Sequence, residues 1–459
     1  MSSITTSNVT SGFIDLATFD EIEKYLYGGH DATAYFVRET RKATWFTQVP
    51  VVLSRAAGSP AFGQEWSVAI SRAGDYMLHT WLRVTFPEVA LTAALKLENK
   101  LRLRWTANLM HNLIRECCIT FNDLIAARFD NYHLDFWAAF TVPASKRNGY
   151  LNMIGQFLDM NAPQQVCPAK TLNLPLPFFY SRDSGVALPT AALPYNEMRI
   201  NFHFRDWNQL LIMEEFDVAG EQRRVIDPTT HLYNSQAPIL GNTQVWANYA
   251  IVSNDERKRM ACAPRDILVE QVQTAPRQSY TPATSTQQSF DIRFSHAIKV
   301  LFFAVRNTTW ASEWSNYTTN SPYTKTGNTN YAPPGTSDPI VTTSLIYENT
   351  NRLGQMGSDY FSLVNPWYHA PAIPRATGYH MYSYSLDFMS LDPMGSTNYG
   401  KLTNVSIVPE CSPNAVTAAN GTGAAGSGAT FKQTFEFIVT AINNNIIRVS
   451  GGALGFPVL

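Results

Sequence analysis

The sequence predicts an all-β fold built from two β-sandwiches or β-barrels in tandem. Three observations lead to this prediction. Apolar and polar residues alternate along many short segments, as is typical of half-buried strands. The alternation is interrupted by a charged stretch near residue 253 and then resumes. At 459 residues, the chain also exceeds the length at which one hydrophobic core usually stops growing.

Alternating runs in the first half predict strands with one buried face. His203 lies on the polar face of one such run. Because no second histidine or acid lies at metal-ligand spacing from it, we interpret His203 as a solvent-facing residue. The predicted buried residues of three runs are Trp66, Val68 and Ile70; Leu82, Val84 and Phe86; and Met198, Ile200, Phe202 and Phe204.

The second half repeats this pattern, which indicates a second set of strands. One of these strands is predicted within the continuous apolar run IKVLFFAV. Two alternating sets flank it in sequence: Phe290, Ile292 and Phe294 before it, and Phe435, Phe437, Val439 and Ala441 near the end of the chain.

A short helix is predicted near the start of the chain. Thr18 has the residue type of an N-cap, Glu21 would complete a capping box, and Gly28 and Gly29 would end the helix. Because acidic residues outnumber Lys24 here, an anionic membrane should repel the polar face, whereas a protein groove or the helix's own domain could bind the apolar face. That apolar face consists of Phe19, Ile22 and Leu26.

Three further connections have recognisable signals. Asn122 and Asp123 indicate a hairpin turn, and a second helix is predicted from Asp130, with Leu134, Trp137 and Phe140 at near-helical spacing. The stretch SNDERKRMA has the charge pattern of a solvated helix and lies between two apolar strands. The polar segments 307–340 and 411–430 are predicted to be exposed loops and therefore candidates for the outer surface.

Composition excludes several classes of function. Lys plus Arg (35) balance Asp plus Glu (36), and no long basic tract is present, so direct nucleic-acid binding is disfavoured. Charged residues make up only 15% of the chain, which suggests a surface that meets other protein. Five cysteines without C-x-x-C spacing, no signal-peptide pattern and no long apolar run predict a soluble protein from a reducing compartment.

No local motif indicates catalysis. Gly421, Gly423 and Gly426 spell G-x-G-x-x-G, but the preceding segment has loop composition and a strand follows, contrary to a dinucleotide site. Glu214 and Glu215 are adjacent, so a strand would direct them to opposite faces, whereas glycosidases need converging carboxylates. We therefore assign no catalytic, cofactor-binding or metal-ligating residue, and we expect no enzymatic activity and no cofactor.

Longer motifs show a resemblance to a known family. The segment TLNLPLPFFYSRDSGVALPTAALPYNEMRINFHF (171–204) closely resembles the first-barrel signature of major capsid proteins from nucleocytoplasmic large DNA viruses. The opening NVTSGFIDLATFDEIEKYLYGG and the ending GFPVL look most like the iridovirus branch. Further matches occur in the same order: NLMHNLI, LDFWAAF, KRNGYLNMIG, NDERKRM with ILVEQVQ, RFSHAIKVLFFAV, DPMGSTNYGKLTNVSI and INNNIIRVSGGALGFPVL.

The resemblance implies a double jelly roll: two tandem eight-stranded jelly rolls, with short helices in the connections and an N-terminal arm. The predicted organisation is an arm with a short amphipathic helix at 1–30, a first jelly roll at 31–252, a helical linker at 253–264 and a second jelly roll at 265–459. It also implies a structural subunit of an icosahedral capsid, a homotrimer that forms pseudo-hexameric capsomers.

The implied partners are neighbouring capsomers, together with minor capsid proteins or an internal membrane layer that the arm would contact. The exposed loops could contact a host surface. The implied location is the outer shell of the virion, after synthesis and assembly in the host cytoplasm. Two alternatives stay open: a minor vertex or attachment protein of the same fold, and a carbohydrate-binding β-sandwich protein.

Overall fold

The computed structural model describes residues 2–216, 223–230, 236–320, 337–421 and 432–457. The chain divides into two units, an arm unit (Met1–Trp45) and a body (Phe46–Leu459). The arm unit contains helices α1 (Ser2–Ala17) and α2 (Glu21–Leu26).

The predicted N-cap of the arm helix is wrong. Asp20, in an extended conformation, precedes α2, whereas the Thr18 hydroxyl donates to the carbonyl oxygen of Asp15 at 2.6 Å and lies just past the end of α1. A threonine hydroxyl can hydrogen-bond at either end of a helix, so the sequence pattern alone did not distinguish the two positions. Helix α1 was not predicted, because its Ser- and Thr-rich sequence has weak helix propensity.

The first half of the body consists of short strands with helices in the connections. Its strands are β1 (Phe46–Val52), β2 (Arg55–Gly58), β3 (Glu65–Ala69), β4 (Tyr76–Phe86), β5 (Val89–Ala90), β6 (Leu101–Trp105), β7 (Ile114–Phe121), β8 (Leu124–Phe129), β9 (Val166–Cys167), β10 (Lys170–Pro175), β11 (Met198–Phe204), β12 (Leu211–Phe216), β13 (Arg223–Ile226) and β14 (Thr243–Val252). Its helices are α3 (Ala93–Glu98), α4 (Leu109–Leu113), α5 (Asn131–Thr141), α6 (Ala144–Ile154) and α7 (Leu158–Asn161).

The second half begins after helix α8 (Asn254–Cys262), which lies in the stretch whose charge pattern indicated a helix. Its strands are β15 (Arg265–Thr274), β16 (Gln278–Tyr280), β17 (Phe290–Asp291), β18 (Ala297–Asn307), β19 (Ile340–Tyr347), β20 (Thr350–Gly357), β21 (His380–Ser383), β22 (Thr397–Asn398), β23 (Val405–Cys411), β24 (Phe435–Ser450) and β25 (Ala453–Gly455). Its remaining helices are α9 (Asn365–His369) and α10 (Pro413–Ala419).

Both halves have the same strand order. In the first half the principal sheets are β1-β14-β4-β10 and β3-β11-β7-β8, and in the second half they are β15-β24-β18-β21 and β17-β23-β19-β20. Each half has eight strands in its two principal sheets. When these eight are numbered in chain order, the sheet orders of both halves are 1-8-3-6 and 2-7-4-5. Two packed antiparallel sheets in this order form a jelly roll, so the predicted double jelly roll is confirmed.

The alternating pattern marks the buried faces correctly. Along β11 the apolar residues from Met198 to Phe204 are buried, while His203 on the other face is partly exposed, as predicted. Each jelly roll encloses its own apolar core between its two sheets, with Val84 and Ile200 in the first and Phe303 and Phe437 in the second.

The predicted hairpin and second helix are both present. Asn122 and Asp123 have φ angles of 48° and 66° and join β7 to β8, because a tight hairpin needs positive φ at both turn positions. The Asp130 carboxylate then caps α5 by accepting a hydrogen bond from the His133 amide at 3.0 Å. The connection from β8 to β10 therefore begins with a well-defined helix.

Helix α5 joins the two jelly rolls. Strand β18 directs Leu301 and Phe303 into its own core, while Phe302 points to the opposite face of the sheet. The rings of Phe136 and Phe140, both on α5, stack on Phe302 with centroid separations of 5.7 and 5.4 Å. Both faces of β18 are thus buried, which explains why its sequence is continuously apolar rather than alternating.

The prediction that 307–340 and 411–430 are exposed is wrong for much of their described parts. Trp310 and Tyr317 are buried, and the Asn307 amide donates to Thr318 and Gln433 at 3.1 and 2.7 Å. Residues of α10 in the second segment are also buried. Polar residues can lie inside when other parts of the fold satisfy their hydrogen bonds. The remaining parts, 321–336 and 422–431, lie outside the described residues.

A buried charge cluster connects the two halves. The Glu270 carboxylate accepts from Lys299 Nζ at 2.5 Å and is paired with Arg182 of the first half. The Arg182 guanidinium also lies over the Trp137 ring, 4.1 Å from its centroid. All three charged groups are removed from water, so each depends on the others for stabilisation.

Replacing Glu270 with glutamine should therefore destabilise the body, because it leaves two buried cations without a counter-charge. We expect the free energy of unfolding in urea to fall by about 3–5 kcal/mol. The matched control is Asp266→Asn, which breaks the exposed pair with Arg448 and should change little. Equal effects of the two variants would contradict the role assigned to Glu270.

His133 on α5 should make the fold sensitive to acid. Burial lowers the pKa of this imidazole to about 3, from an ordinary value of 6.5. Below pH 6.5 the unfolded chain binds a proton that the folded chain does not, so stability falls as the pH decreases from about 6.5 towards 3. This residue alone should cost about 2 kcal/mol between pH 7 and pH 5.

Urea unfolding at both pH values provides the measurement. His133→Gln should reduce the difference in stability between pH 7 and pH 5, whereas His203→Gln, at a partly exposed ring, serves as the control. An unchanged pH dependence in His133→Gln would show that other groups cause the acid sensitivity.

Candidate assembly surface

The residues that the sequence analysis considered for catalysis or cofactor binding do not form a common site among the described residues. Glu214 is buried and accepts from Arg104 Nε at 2.6 Å, while Glu215, the next residue on β12, is partly exposed. Gly421 follows helix α10 rather than the predicted loop, and Gly423 and Gly426 lie outside the described residues. Within the described ranges, no group of three or more His, Cys, Asp or Glu residues could hold a metal ion.

The sequence did not reveal a buried polar network at the junction of the two jelly rolls. His111 contacts Asp135 through Nδ1 at 2.8 Å and the Tyr150 hydroxyl through Nε2 at 2.6 Å. The Asp135 carboxylate also accepts from Ser315 and Tyr317 at 2.9 and 2.7 Å. Burial raises the pKa of Tyr150 and of Tyr317, so both hydroxyls remain protonated donors.

This network lines a cavity of about 320 Å³ between the two halves. Its groups hydrogen-bond to one another, which is the arrangement of a structural network rather than of an activated nucleophile. The sequence did contain a signal for this network. His111 lies in NLMHNLI and Asp135 in LDFWAAF, two of the motifs that resemble the capsid family. Local spacing alone could not have paired them.

A second junction contact is built on Trp314. Its ring lies 3.6 Å from the Arg205 guanidinium of the first half and 4.2 Å from the Arg306 guanidinium of the second. Its indole N–H donates to the Gln209 carbonyl oxygen at 2.9 Å. Burial lowers the pKa of Arg205 to about 10, so the guanidinium stays charged at neutral pH. Cation–π contacts thus join the two halves at this point.

The solvent-facing side of the β1-β14-β4-β10 sheet carries an apolar row. Strand register places Val52 opposite Trp246, Trp246 opposite Trp81, and Trp81 opposite Pro175. The two tryptophan rings are stacked with centroids 6.2 Å apart. Val52 is 40% exposed and both tryptophans are partly exposed. Four residues that are far apart in sequence therefore form one strip across the sheet.

The second jelly roll exposes another apolar patch around helix α9. Trp367, Tyr368 and Leu386 are 71%, 73% and 70% exposed. His369 Nδ1 lies 2.9 Å from the Leu386 carbonyl oxygen, which brings the helix and the later loop together. Large exposed apolar side chains that cluster in this way are typical of protein–protein contact sites.

The arm unit also exposes apolar side chains on both of its helices. They are Val9, Phe13, Ile14 and Leu16 on α1 and Ile22, Tyr25 and Leu26 on α2. None of the helices in the described residues has the length and hydropathy required to cross a bilayer.

Family models match nearly the whole body. The model described as "Major capsid protein N-terminus" matches residues 34–252. The model described as "Large eukaryotic DNA virus major capsid protein" matches residues 256–455. The two matches together cover both jelly rolls.

Curated relatives are similar over their full length. The chain is 67% identical to the major capsid protein of Costelytra zealandica iridescent virus, with all of both chains covered. It is 66% identical to that of Tipula iridescent virus, with 98% of both covered, and 46% identical to that of Frog virus 3, with all of both covered.

Solved structures share the fold at much lower identity. A quasi-atomic model of the PBCV-1 virus capsid aligns with a TM-score of 0.72 at 20% identity, covering 93% of this chain and all of that chain. The Faustovirus major capsid protein aligns with a TM-score of 0.68 at 10% identity, covering 98% of both.

The resemblance identified in the sequence is confirmed by these matches. Full-length similarity to iridescent virus proteins and the double jelly roll agree on one class of protein. Its place is the capsid shell of a virion. The chain therefore belongs to the major capsid protein family of large eukaryotic DNA viruses, on its iridescent virus branch, and is a structural subunit of the capsid.

Proposed function

We propose that three copies of this chain associate into a pseudo-hexameric capsomer and that these capsomers tile the icosahedral shell. The observation that carries this proposal is the identical strand order of the two jelly rolls in one chain. Three copies around a threefold axis contribute six similar lobes. A block with six similar lobes can fill a hexagonal lattice although its true symmetry is only threefold.

The surface supports closed association. A cyclic trimer buries two different patches on each copy, because one patch of a subunit meets the other patch of its neighbour. The chain exposes apolar patches on both jelly rolls, at Val52 and at Trp367. Its charged fraction of 15% is low, and interface centres are depleted of charged residues.

The expected result is a particle with the mass of three chains at micromolar concentration, measured by light scattering on the purified full chain. Because the apolar patches would be exposed in a monomer, dilution should lead to aggregation or unfolding before a stable monomer accumulates. A folded, long-lived monomer at micromolar concentration would refute the obligate trimer.

The arm, residues 1–30, is proposed to face the inner side of the shell. There it would bind minor capsid proteins or the layer above an internal membrane. Its exposed apolar side chains on α1 and α2 support a binding role. Asp20, Glu21 and Glu23 surround one basic residue, Lys24, so an anionic lipid surface would repel α2 and a protein partner is favoured.

Deleting residues 1–30 should leave trimers intact but prevent closed shells in a cell-based assembly assay. A finer variant, Ile22→Ser with Leu26→Ser, should reduce shell yield at least severalfold, because it removes two exposed apolar side chains of α2. Asn8→Ser, at an exposed polar position, is the matched control. Complete shells from the deletion variant would eliminate this role.

Several finer statements are proposals of the same kind. The boundaries 1–30, 31–252, 253–264 and 265–459 are supported by the position of α8 between β14 and β15. Lack of enzymatic activity is supported by membership of a structural family. Assembly in the host cytoplasm follows from the resemblance. Copy number in virions would separate a major shell role from a vertex role.

A further inference from the structure

The contact between the two jelly rolls has a definable pattern. It uses the connection between the fifth and sixth strands of the first jelly roll, which runs from β8 to β10 and contains α5. Phe136 and Phe140 from this connection cover Phe302 on the outward face of β15-β24-β18-β21. Phe302 lies on β18, the third strand of its jelly roll. One jelly roll thus covers the outward sheet face of the next.

The equivalent sheet of the first jelly roll lacks such a cover within the described residues. Its third strand, β4, carries Trp81 on the outward face. In the second jelly roll, the third strand is β18, which carries Phe302 on the outward face. Trp81 is the centre of the row formed with Val52, Trp246 and Pro175. This row remains partly exposed, whereas Phe302 is fully buried.

The equivalent connection of the second jelly roll has an exposed segment at α9, although residues after this helix contact the first jelly roll of the same chain. It runs from β20 to β21, again from the fifth to the sixth strand, and contains α9. Trp367 and Tyr368 project from α9 into solvent, and Leu386 lies beside them. Within the chain, a helical connection (α5) packs once on an outward sheet face (β15-β24-β18-β21). The other helix of this type, α9, and the other outward sheet face, that of β1-β14-β4-β10, both remain exposed.

We infer that α9 of one copy docks on the outward face of the β1-β14-β4-β10 sheet of a second copy, as α5 docks on the other sheet within the chain. The inference rests on the proposed trimer and specifies its interface. Head-to-tail contacts of this kind use different patches on each copy, and they form a ring when the rotation per contact closes. Three copies would thus form a ring of six jelly rolls. Around this ring, contacts between jelly rolls of one chain would alternate with contacts between jelly rolls of neighbouring chains.

The receiving surface has a suitable shape and charge. A groove of about 1160 Å³ adjoins Trp81 and could accept the aromatic side chains of α9. No carboxylate is among the described residues that line it, whereas Asp387, next to Leu386 on the docking patch, is exposed. Opposite charge across an interface favours the correct partner. Residues lining the groove include His79, Trp81, Trp137, Lys146, Met153 and Pro177.

Site-specific photo-crosslinking of the full chain tests this docking directly. A benzoylphenylalanine placed at Tyr368 should give a crosslink between two copies in isolated trimers, mapped by mass spectrometry to residues 79–83, 146–153 or 173–177. The same probe at Leu97, which is 87% exposed on α3, should not reach those segments and serves as the control. Crosslinks that map elsewhere, or only within one chain, would overturn the inference.

Substitutions test the energetics. Trp367→Ala and Trp246→Ala should each reduce the yield of trimer from the purified full chain at least tenfold, whereas Leu97→Ala should leave the yield unchanged. Trp367 is largely exposed, so its removal should not disturb the core of either jelly roll, which circular dichroism of the remaining trimer can verify.

The outcomes separate this inference from the proposed trimer. A wild-type chain that stays monomeric contradicts the trimer itself. A wild-type trimer that tolerates both tryptophan substitutions leaves the trimer standing and overturns the docking of α9. Crosslinks at Tyr368 that form only in assembled shells would assign the patch to contacts between capsomers, and would also overturn it.

Discussion

The organisation of the body depends on burying both faces of one sheet. Strand β18 is apolar on both sides, so the second jelly roll cannot leave its β15-β24-β18-β21 sheet open to water without a large hydrophobic cost. Helix α5 of the first jelly roll provides the missing cover through Phe136 and Phe140. The two jelly rolls consequently form one compact unit rather than two separate domains on a linker.

Buried polar groups then specify how the two halves fit together. Asp135 accepts hydrogen bonds from both jelly rolls, and Glu270 is paired with one cation from each. Trp314 lies against one guanidinium from each. Apolar packing alone tolerates small shifts, whereas a buried carboxylate whose donors move away becomes strongly unfavourable. These contacts therefore restrict the relative orientation of the two jelly rolls, and the spacing of the six lobes in the proposed capsomer depends on that orientation.

The same topology explains which surfaces remain for assembly. Each jelly roll has one outward sheet face and one helical connection between its fifth and sixth strands. Inside the chain, only the connection of the first jelly roll packs on a sheet face, which belongs to the second. The remaining pair, Trp81 with its neighbours and the α9 patch, is exposed together with the arm. The fold is shared with capsid proteins at 10–20% identity, so its topology tolerates extensive change in the residues that fill these surfaces.

The sequence by itself determined the class of fold, the alternating strands such as β11, the turn at Asn122, helix α5 and the family resemblance, because each depends on local period, turn chemistry or an ordered motif. Only the tertiary structure decided that the polar segment around Tyr317 is buried, that Asp135 meets His111, and that Val52, Trp246, Trp81 and Pro175 form one row. Those features depend on strand pairing between residues far apart in the chain. Local patterns do not encode which strands become neighbours, so they could not reveal the surface on which assembly is proposed to depend.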